Sequence, residues 1–439
     1  MCSDKLALTG ITTPIADFLR CYKEKEFLRC HMPGGKNNPS DITEIFGADS
    51  LYESNGIIAE SEQNAAALFG GGAVCYSCSG STLCVQAMLS FIRRQNGCLA
   101  QQKIIAGRYS HRSLISSAIT MGLEIEWIYP AKYLSASISS KTLEATLRDK
   151  AACAVFLTGI DYYGGECDIK AASEICENNN IPLLVDNAHG AYKVFTGNHP
   201  INLGARFSAD SAHKTLPVLT GGGYLNIKSL SELPEIKKEM ALFGTASPSY
   251  LILESLDVCN IHIKNEKHKA IKVFNQVCET KSALAELGFA VCESDALRIV
   301  INARECGYTG FEMAEKLREK KTECEMCDDS FVILLFSTTT NDYELKRLTE
   351  ILKNIPIKAR LSEKEHTILK PEAVLPPRKA YYKKRKKVAI KSAAGRICAE
   401  ILAPCPPGVP LVMPGERIDK DCIEELIRYG FKDEIDVIF

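Results

Sequence analysis

From residue 60 to about residue 245, short apolar runs alternate with segments whose apolar residues recur at helical spacing. The runs Ala73 to Tyr76, Lys103 to Ala106, Glu126 to Tyr129, Ala152 to Leu157, Ile181 to Val185 and Tyr224 to Ile227 predict strands. Ser81 to Arg94, His111 to Met121 and Ile169 to Asn178 predict helices between them. Strands apolar on both faces and separated by helices predict a mainly parallel sheet covered on both sides. Ligands collect at the carboxyl ends of such strands, so the residue after each run is where chemistry is sought. A second unit begins near residue 270. Helical Ala270 to Leu287, Gly310 to Lys320 and Asp342 to Lys353 alternate with strand-like Leu297 to Asn302 and Phe331 to Phe336, which predicts a smaller α/β domain. Pro371, Pro376 and Pro377 then precede the basic run Lys383 to Lys387, which reads as a solvated connector before an apolar C-terminal segment.

A chain of 439 residues exceeds one ordinary core, and its 46% hydrophobic content suits a packed protein of two or three domains. With 53 basic and 54 acidic residues the net charge is −1, so no global field points to nucleic acid or an anionic membrane. Met1 to Lys5 has no signal pattern and no run approaches the length of a membrane span, so the expected location is the cytoplasm. Reduced thiols are then expected for the 19 cysteines. Cys75/Cys78 and Cys324/Cys327 have Cys-x-x-Cys spacing, but a four-thiolate zinc site needs all four to converge, and nothing in the sequence brings the pairs together.

The run ending at Val185 delivers Asp186, followed by Asn187-Ala188-His189-Gly190, and further on stands Ser211-Ala212-His213-Lys214. Pyridoxal phosphate (PLP) needs this pair of groups. A lysine amine forms a Schiff base with its aldehyde, and an acid beside the pyridine nitrogen keeps that nitrogen protonated, so the ring can accept electrons. Ser79-Gly80-Ser81-Thr82 opens a helix after a strand and offers free N–H groups and hydroxyls, a seat for phosphate or a plain helix cap. His111 opens the next helix, where an imidazole face can serve as a platform for the ring.

In this order the four elements resemble the PLP-dependent ornithine/lysine/arginine decarboxylases of bacteria. The resemblance covers nearly the whole chain: Thr13-Pro14, His31 to Lys36, Ser79 to Gln86, His111, Asp186 to Tyr192, Ser211 to Pro217, Thr245 to Tyr250, Leu375 to Arg378 and Pro406 to Glu416. It implies PLP fold type I: a large domain with a mainly parallel, seven-stranded type of sheet, a smaller α/β domain and a C-terminal α+β segment. The expected boundaries are an N-terminal arm at 1–60, the PLP-binding domain at 61–260, the small domain at 261–370 and the C-terminal domain at 371–439. This is the short form, without the receiver-like N-terminal domain of larger members.

By position, the resemblance makes Lys214 the Schiff-base lysine and Asp186 the partner of the pyridine nitrogen. His111 stacks on the ring, and Ala188 packs on the other face. Ser81, Thr82, Ser211 and His213 hold phosphate. Ser247 reaches in from a neighbouring subunit, so a homodimer or higher homo-oligomer with shared sites is expected, with a small basic amino acid as substrate and no nucleic acid or membrane partner. Glu416 is a candidate for the substrate's distal cation, or an acid exposed on a turn. The expected reaction is decarboxylation of arginine, then lysine or ornithine, to agmatine or a diamine. Another PLP reaction (transamination or elimination) and a non-catalytic regulatory homologue are the alternatives. Three departures from the family pattern stand out: Gly35 where the family has histidine, Leu83-Cys84-Val85 after Ser81-Thr82, and no proline in Thr158 to Gly164.

Overall fold

A computed structural model describes residues 10–97, 102–133, 135–149, 152–362 and 368–439. Two compact units divide the chain, and neither is continuous in sequence. The first takes Met1–Phe91, Leu184–Ile271 and Ser337–Thr339; the second takes Ile92–Leu183, Lys272–Phe336 and Thr340–Phe439.

In the first unit strand Ala73–Ser77 pairs antiparallel with Gly223–Ile227, and that strand pairs antiparallel with Phe207–Asp210. Phe207–Asp210 runs parallel to Leu183–Asp186. All four strands are buried at every position, as their apolar runs require. The antiparallel step has a local cause: parallel neighbours need a long crossover, whereas residues 211–222 hold only the four-residue helix Ala212–Thr215. Helices Pro14–Glu24, Ile57–Phe69 and Tyr250–Asn265 pack on one another, and Ile57–Phe69 also covers Ala73–Ser77. The buried carboxylate of Asp257 fastens the N-terminal helix by accepting the N–H groups of Ile15 and Ala16, each at 3.0 Å, which have no intrahelical acceptor.

In the second unit Lys103–Gly107 runs parallel to both Glu124–Ile128 and Ala154–Thr158. A separate antiparallel sheet has the order Met326–Cys327, Phe331–Leu335, Arg298–Asn302, Val291–Cys292. Helices Gly310–Glu319 and Asp342–Lys353 each start in a capping box, Thr309 with Glu312 and Asn341 with Glu344. The C-terminal segment builds its own core from residues such as Leu402, Val412, Ile418, Leu426 and Val437.

The basic run is not a solvated connector. Arg385–Ala389 is a strand paired antiparallel with Glu434–Ile438. Its residues alternate between exposed and half-buried, and Val388 packs on the C-terminal core. The charged side chains on this short two-stranded ribbon protect its edges from further pairing.

Candidate active site

In the first unit the ends of two neighbouring strands meet. Asp186 ends one, and the turn after it is tied to the next strand by the bond from Asn187 N–H to Ala209 O at 2.9 Å. Asn187 Nδ2 also donates to Asp210 Oδ1 at 2.8 Å. Asp210 is wholly buried; it takes a second amide from Asn226 at 2.8 Å and contacts His199 Nε2 at 2.7 Å. With Ser208 Oγ donating at 3.2 Å as well, four side chains satisfy this carboxylate, and Asn187 among them braces the turn that follows Asp186.

Asp186 is 3% exposed and accepts the Ala188 N–H at 3.2 Å. Burial pushes its carboxyl up to about 6; the Lys214 ammonium and the Ala188 N–H pull it back, while Asp210 adds to the rise. Lys214 therefore acts on Asp186 across the site. Its Nζ lies 3.0 Å from Nε2 of His189. Sequence reasoning gave His189 no role, although the Asp186-Asn187-Ala188-His189 motif holds it three residues beyond the acid.

The phosphate candidates gather in the same unit. Gly80, at φ +61°, turns the chain from strand Ala73–Ser77 into helix Gly80–Gln95, and a side chain there would be strained. An added Cβ would also approach His213 Cε1 at 3.5 Å and Ser211 Oγ at 3.8 Å. Ser211 Oγ accepts the Ser81 N–H at 3.3 Å and donates to Ser81 Oγ at 2.9 Å. Thr82 follows, exposed, in the same first turn. The early N–H groups of this long helix lack intrahelical acceptors and carry the positive end of its dipole. His213 Nδ1 contacts Gly222 O at 2.9 Å, and burial lowers its pKa, so the ring is neutral. A dianion beside it would favour the protonated ring, which donates from both nitrogens. Leu83, Cys84 and Val85 point into the core, at 2%, 0% and 0% exposure, so they leave the phosphate seat unchanged. An anion seat, an amine and a buried acid coupled to that amine fit PLP.

His111 and Glu416 belong to the second unit. His111 caps helix Arg112–Met121, its Nδ1 accepting the Ser113 N–H at 3.2 Å. The tail supports it: Arg112 N–H donates to Gly408 O at 2.8 Å, and a Cβ on Gly408 would sit 2.8 Å from His111 Cδ2 and Nε2. Gly408 has φ +73° besides. Gly408→Ala is expected to cost about 1–2 kcal/mol from backbone strain and crowding. Urea unfolding should show it, and His111→Ala in the same chain should recover the crowding part.

Glu416 is not an acid exposed on a turn. It is 1% exposed, and Arg108 grips it from two nitrogens, at 2.7 and 3.1 Å. The Met413 N–H adds a bond at 2.9 Å, and Arg108 also donates to Leu411 O at 2.9 Å and lies 5.0 Å from the Trp127 ring centre. Ser247 sits on an exposed turn of the first unit, its N–H bonded to Thr245 Oγ1 at 3.1 Å.

The raised pKa of Asp186 has a stability consequence. Its folded value, about 6, exceeds its ordinary value, so the stability it contributes is present in acid and is lost as pH rises through 6. At pH 7 the cofactor-free protein carries a penalty approaching roughly 3 kcal/mol, from about 1.4 kcal/mol per pKa unit. Asp186→Asn is therefore expected to raise the melting temperature of cofactor-free protein at pH 7 and to change it far less near pH 4, since the amide oxygen still accepts from Ala188. Scanning calorimetry at the two pH values checks this.

The sequence profile of the Orn/Lys/Arg decarboxylase major domain matches residues 31–301, and that of the family's C-terminal domain matches residues 359–430. An arginine decarboxylase of Bacillus subtilis (strain 168) is 27% identical, over 96% of this chain and 93% of its own. Among solved structures, lysine decarboxylase A from Pseudomonas aeruginosa superposes with a TM-score of 0.80 at 17% identity, over 99% of this chain and 81% of its own. A serine palmitoyltransferase from Sphingomonas wittichii does so at 0.56 and 14% identity, over 70% of this chain and 78% of its own. The shared fold is that of PLP-dependent enzymes. Among the described residues no helix is long and apolar enough to cross a membrane.

Proposed function

The chain belongs to the Orn/Lys/Arg decarboxylase family, and from that premise we propose that it removes the α-carboxylate of a basic amino acid, arginine before lysine or ornithine, to give agmatine or a diamine and CO2. The observation that carries the reading is the placement of the buried Asp186 at the end of one strand and of Lys214 in the short helix Ala212–Thr215 that follows the neighbouring strand, next to the Ser211–Ser81 seat. The arginine preference is supported by a likeness to an arginine decarboxylase that extends over nearly all of both chains.

When bound, PLP supplies an electron sink for the bond that breaks. The chain's own groups set up that chemistry. Lys214 would supply the amine for the cofactor's aldehyde. Asp186, its charge retained, holds a proton on the pyridine nitrogen. Ser81, Thr82, Ser211, His213 and the helix N-terminus would hold the cofactor's phosphate. By the family resemblance, Ala188 and His111 would pack on the cofactor's ring. His189, 3.0 Å from Lys214 Nζ, gives that amine a partner for proton exchange, so a proton can be delivered to Cα after CO2 leaves. Glu416 is already occupied by Arg108, so the geometry favours a structural ion pair over contact with the substrate's distal cation.

The test is to incubate the PLP-loaded protein separately with arginine, lysine and ornithine and to identify the amine formed. Agmatine from arginine at the highest kcat/KM supports the reading; a keto acid without CO2 would replace it with transamination.

The site is assigned to a homodimer in which Ser247 crosses to the partner. Its exposed position supports this. Mixing a Lys214→Ala protomer with a Ser247→Trp protomer should, after subunit exchange, regenerate about a quarter of normal sites, since random pairing makes half the dimers mixed and one site in each is intact. No recovered activity would place each site within one chain.

A further inference from the structure

The turn that carries Asp186, Ala188 and His189 is held from behind by a carboxylate to which the chemistry above gives no part. Asp210 ends the strand Phe207–Asp210, directly before Ser211 and in the same stretch of chain as Lys214. Its two oxygens hold different parts of the protein. Oδ1 accepts Asn187 Nδ2 at 2.8 Å and Ser208 Oγ at 3.2 Å, and Oδ2 accepts Asn226 Nδ2 at 2.8 Å. His199 Nε2 also lies 2.7 Å from Oδ2, while its Nδ1 accepts the Ile201 N–H at 3.4 Å. The ring proton therefore sits on Nε2 and is donated to the carboxylate. The edge of the Phe69 ring, 5.0 Å away between centres, packs on the same imidazole. All of the side chains that meet Asp210 are buried. Asn187 and His199 are the two ends of one segment. Between them the chain folds back on itself in turns, Gly190 N–H to Asn187 O at 2.7 Å, Lys193 N–H to Gly190 O at 3.0 Å and Thr196 N–H to Lys193 O at 3.1 Å. One oxygen of Asp210 thus takes the near end of the segment and the other takes the far end.

We propose that Asp210 is a positioning residue for the reaction: by clamping Asn187 and His199 it holds His189 within proton-exchange distance of Lys214, a role that rests on the proton exchange assigned above to that pair. The connectivity supports it. His189 belongs to the clamped segment, and Lys214 follows Asp210 on the strand end to which the segment is tied. The carboxylate therefore joins the two pieces of chain whose side chains meet at 3.0 Å. A carboxylate suits the task because donors converge on both of its oxygens, and each of those donors is itself buried and fixed. Hydrogen bonds weaken steeply with length and angle, so a turn loosened by a fraction of an ångström loses the His189–Lys214 contact although neither group is altered.

Asn187→Ala removes the near tie and His199→Leu the far one, and in each variant Asp210 keeps three side-chain donors, so its charge stays satisfied. His199→Gln is the conservative control, since its amide N–H can stand where Nε2 stood. Amide hydrogen exchange of the cofactor-free protein is expected to quicken several-fold across 187–199 in Asn187→Ala and His199→Leu, and to stay at the parent rate in strand Ala73–Ser77. In the PLP-loaded protein the same two variants should lower kcat on the order of 10-fold with little change in KM for the basic substrate, because proton exchange serves turnover and not substrate capture. His199→Gln should match the parent in both measurements. Unchanged exchange across 187–199 overturns the proposal. So does faster exchange at the parent's kcat, which would make the clamp a matter of stability alone. A parent protein that forms no amine from arginine, lysine or ornithine would sink the decarboxylase reading instead, while the exchange rates, taken without cofactor or substrate, decide the clamp by themselves.

Discussion

Lys214→Ala is expected to abolish the visible absorbance of the protein-bound cofactor and to lower turnover by on the order of 10³-fold or more, because the variant loses both the amine that holds the aldehyde and a positioned proton carrier. Lys214 is the lysine that acts on Asp186, and its amine has a histidine 3.0 Å away. His189 has no comparable chemistry of its own and cannot replace it. Phosphate contacts through Ser81, Ser211 and the helix N-terminus are untouched by the change, so PLP should still associate, detectable by equilibrium dialysis while the protein-bound absorbance is missing. An unchanged spectrum with unchanged turnover would mean that the lysine is misassigned. Loss of PLP association altogether would mean that the amine, and not the phosphate seat, dominates cofactor affinity.

Ala73–Ser77 and Ala154–Thr158 were legible because they are buried along nearly their whole length and contain no charge to interrupt the run. Phe207–Asp210 is equally buried but alternates Phe and Ala with Ser and Asp, so no apolar run marks it. Its polar members are tolerated because Asp210 accepts from Asn187 and Asn226 and contacts His199, partners that only the tertiary structure supplies. The same physics hid part of the site. Lys214 and Asp186 stood out as a lysine and a strand-end acid, but His189 gains meaning only from its distance to Lys214. Arg108 likewise reads as one more loop cation until the tail brings Glu416 to it. The strand Arg385–Ala389 was obscured by its lysines, since a charged two-stranded ribbon and a solvated connector have the same composition.

The Arg108–Glu416 pair carries the other large expected effect. Both side chains are almost fully buried, at 4% and 1% exposure, and the carboxylate accepts two guanidinium bonds and a backbone N–H. Burial alone raises the Glu416 pKa and Arg108 opposes it, so each charge depends on the other. Removing one partner strands the remaining charge away from water, which costs about 3–5 kcal/mol, whereas replacing both with apolar residues of similar volume is often close to neutral. Arg108→Ala and Glu416→Ala are therefore each expected to lower the urea midpoint sharply, and Arg108→Met combined with Glu416→Leu to recover most of the loss. Glu416→Gln separates this role from the one read in the sequence. It keeps the shape and one bond to Arg108 but removes the charge, so it should destabilise the protein with little change in KM for arginine. A raised KM at unchanged stability would instead turn Glu416 toward the substrate's distal cation.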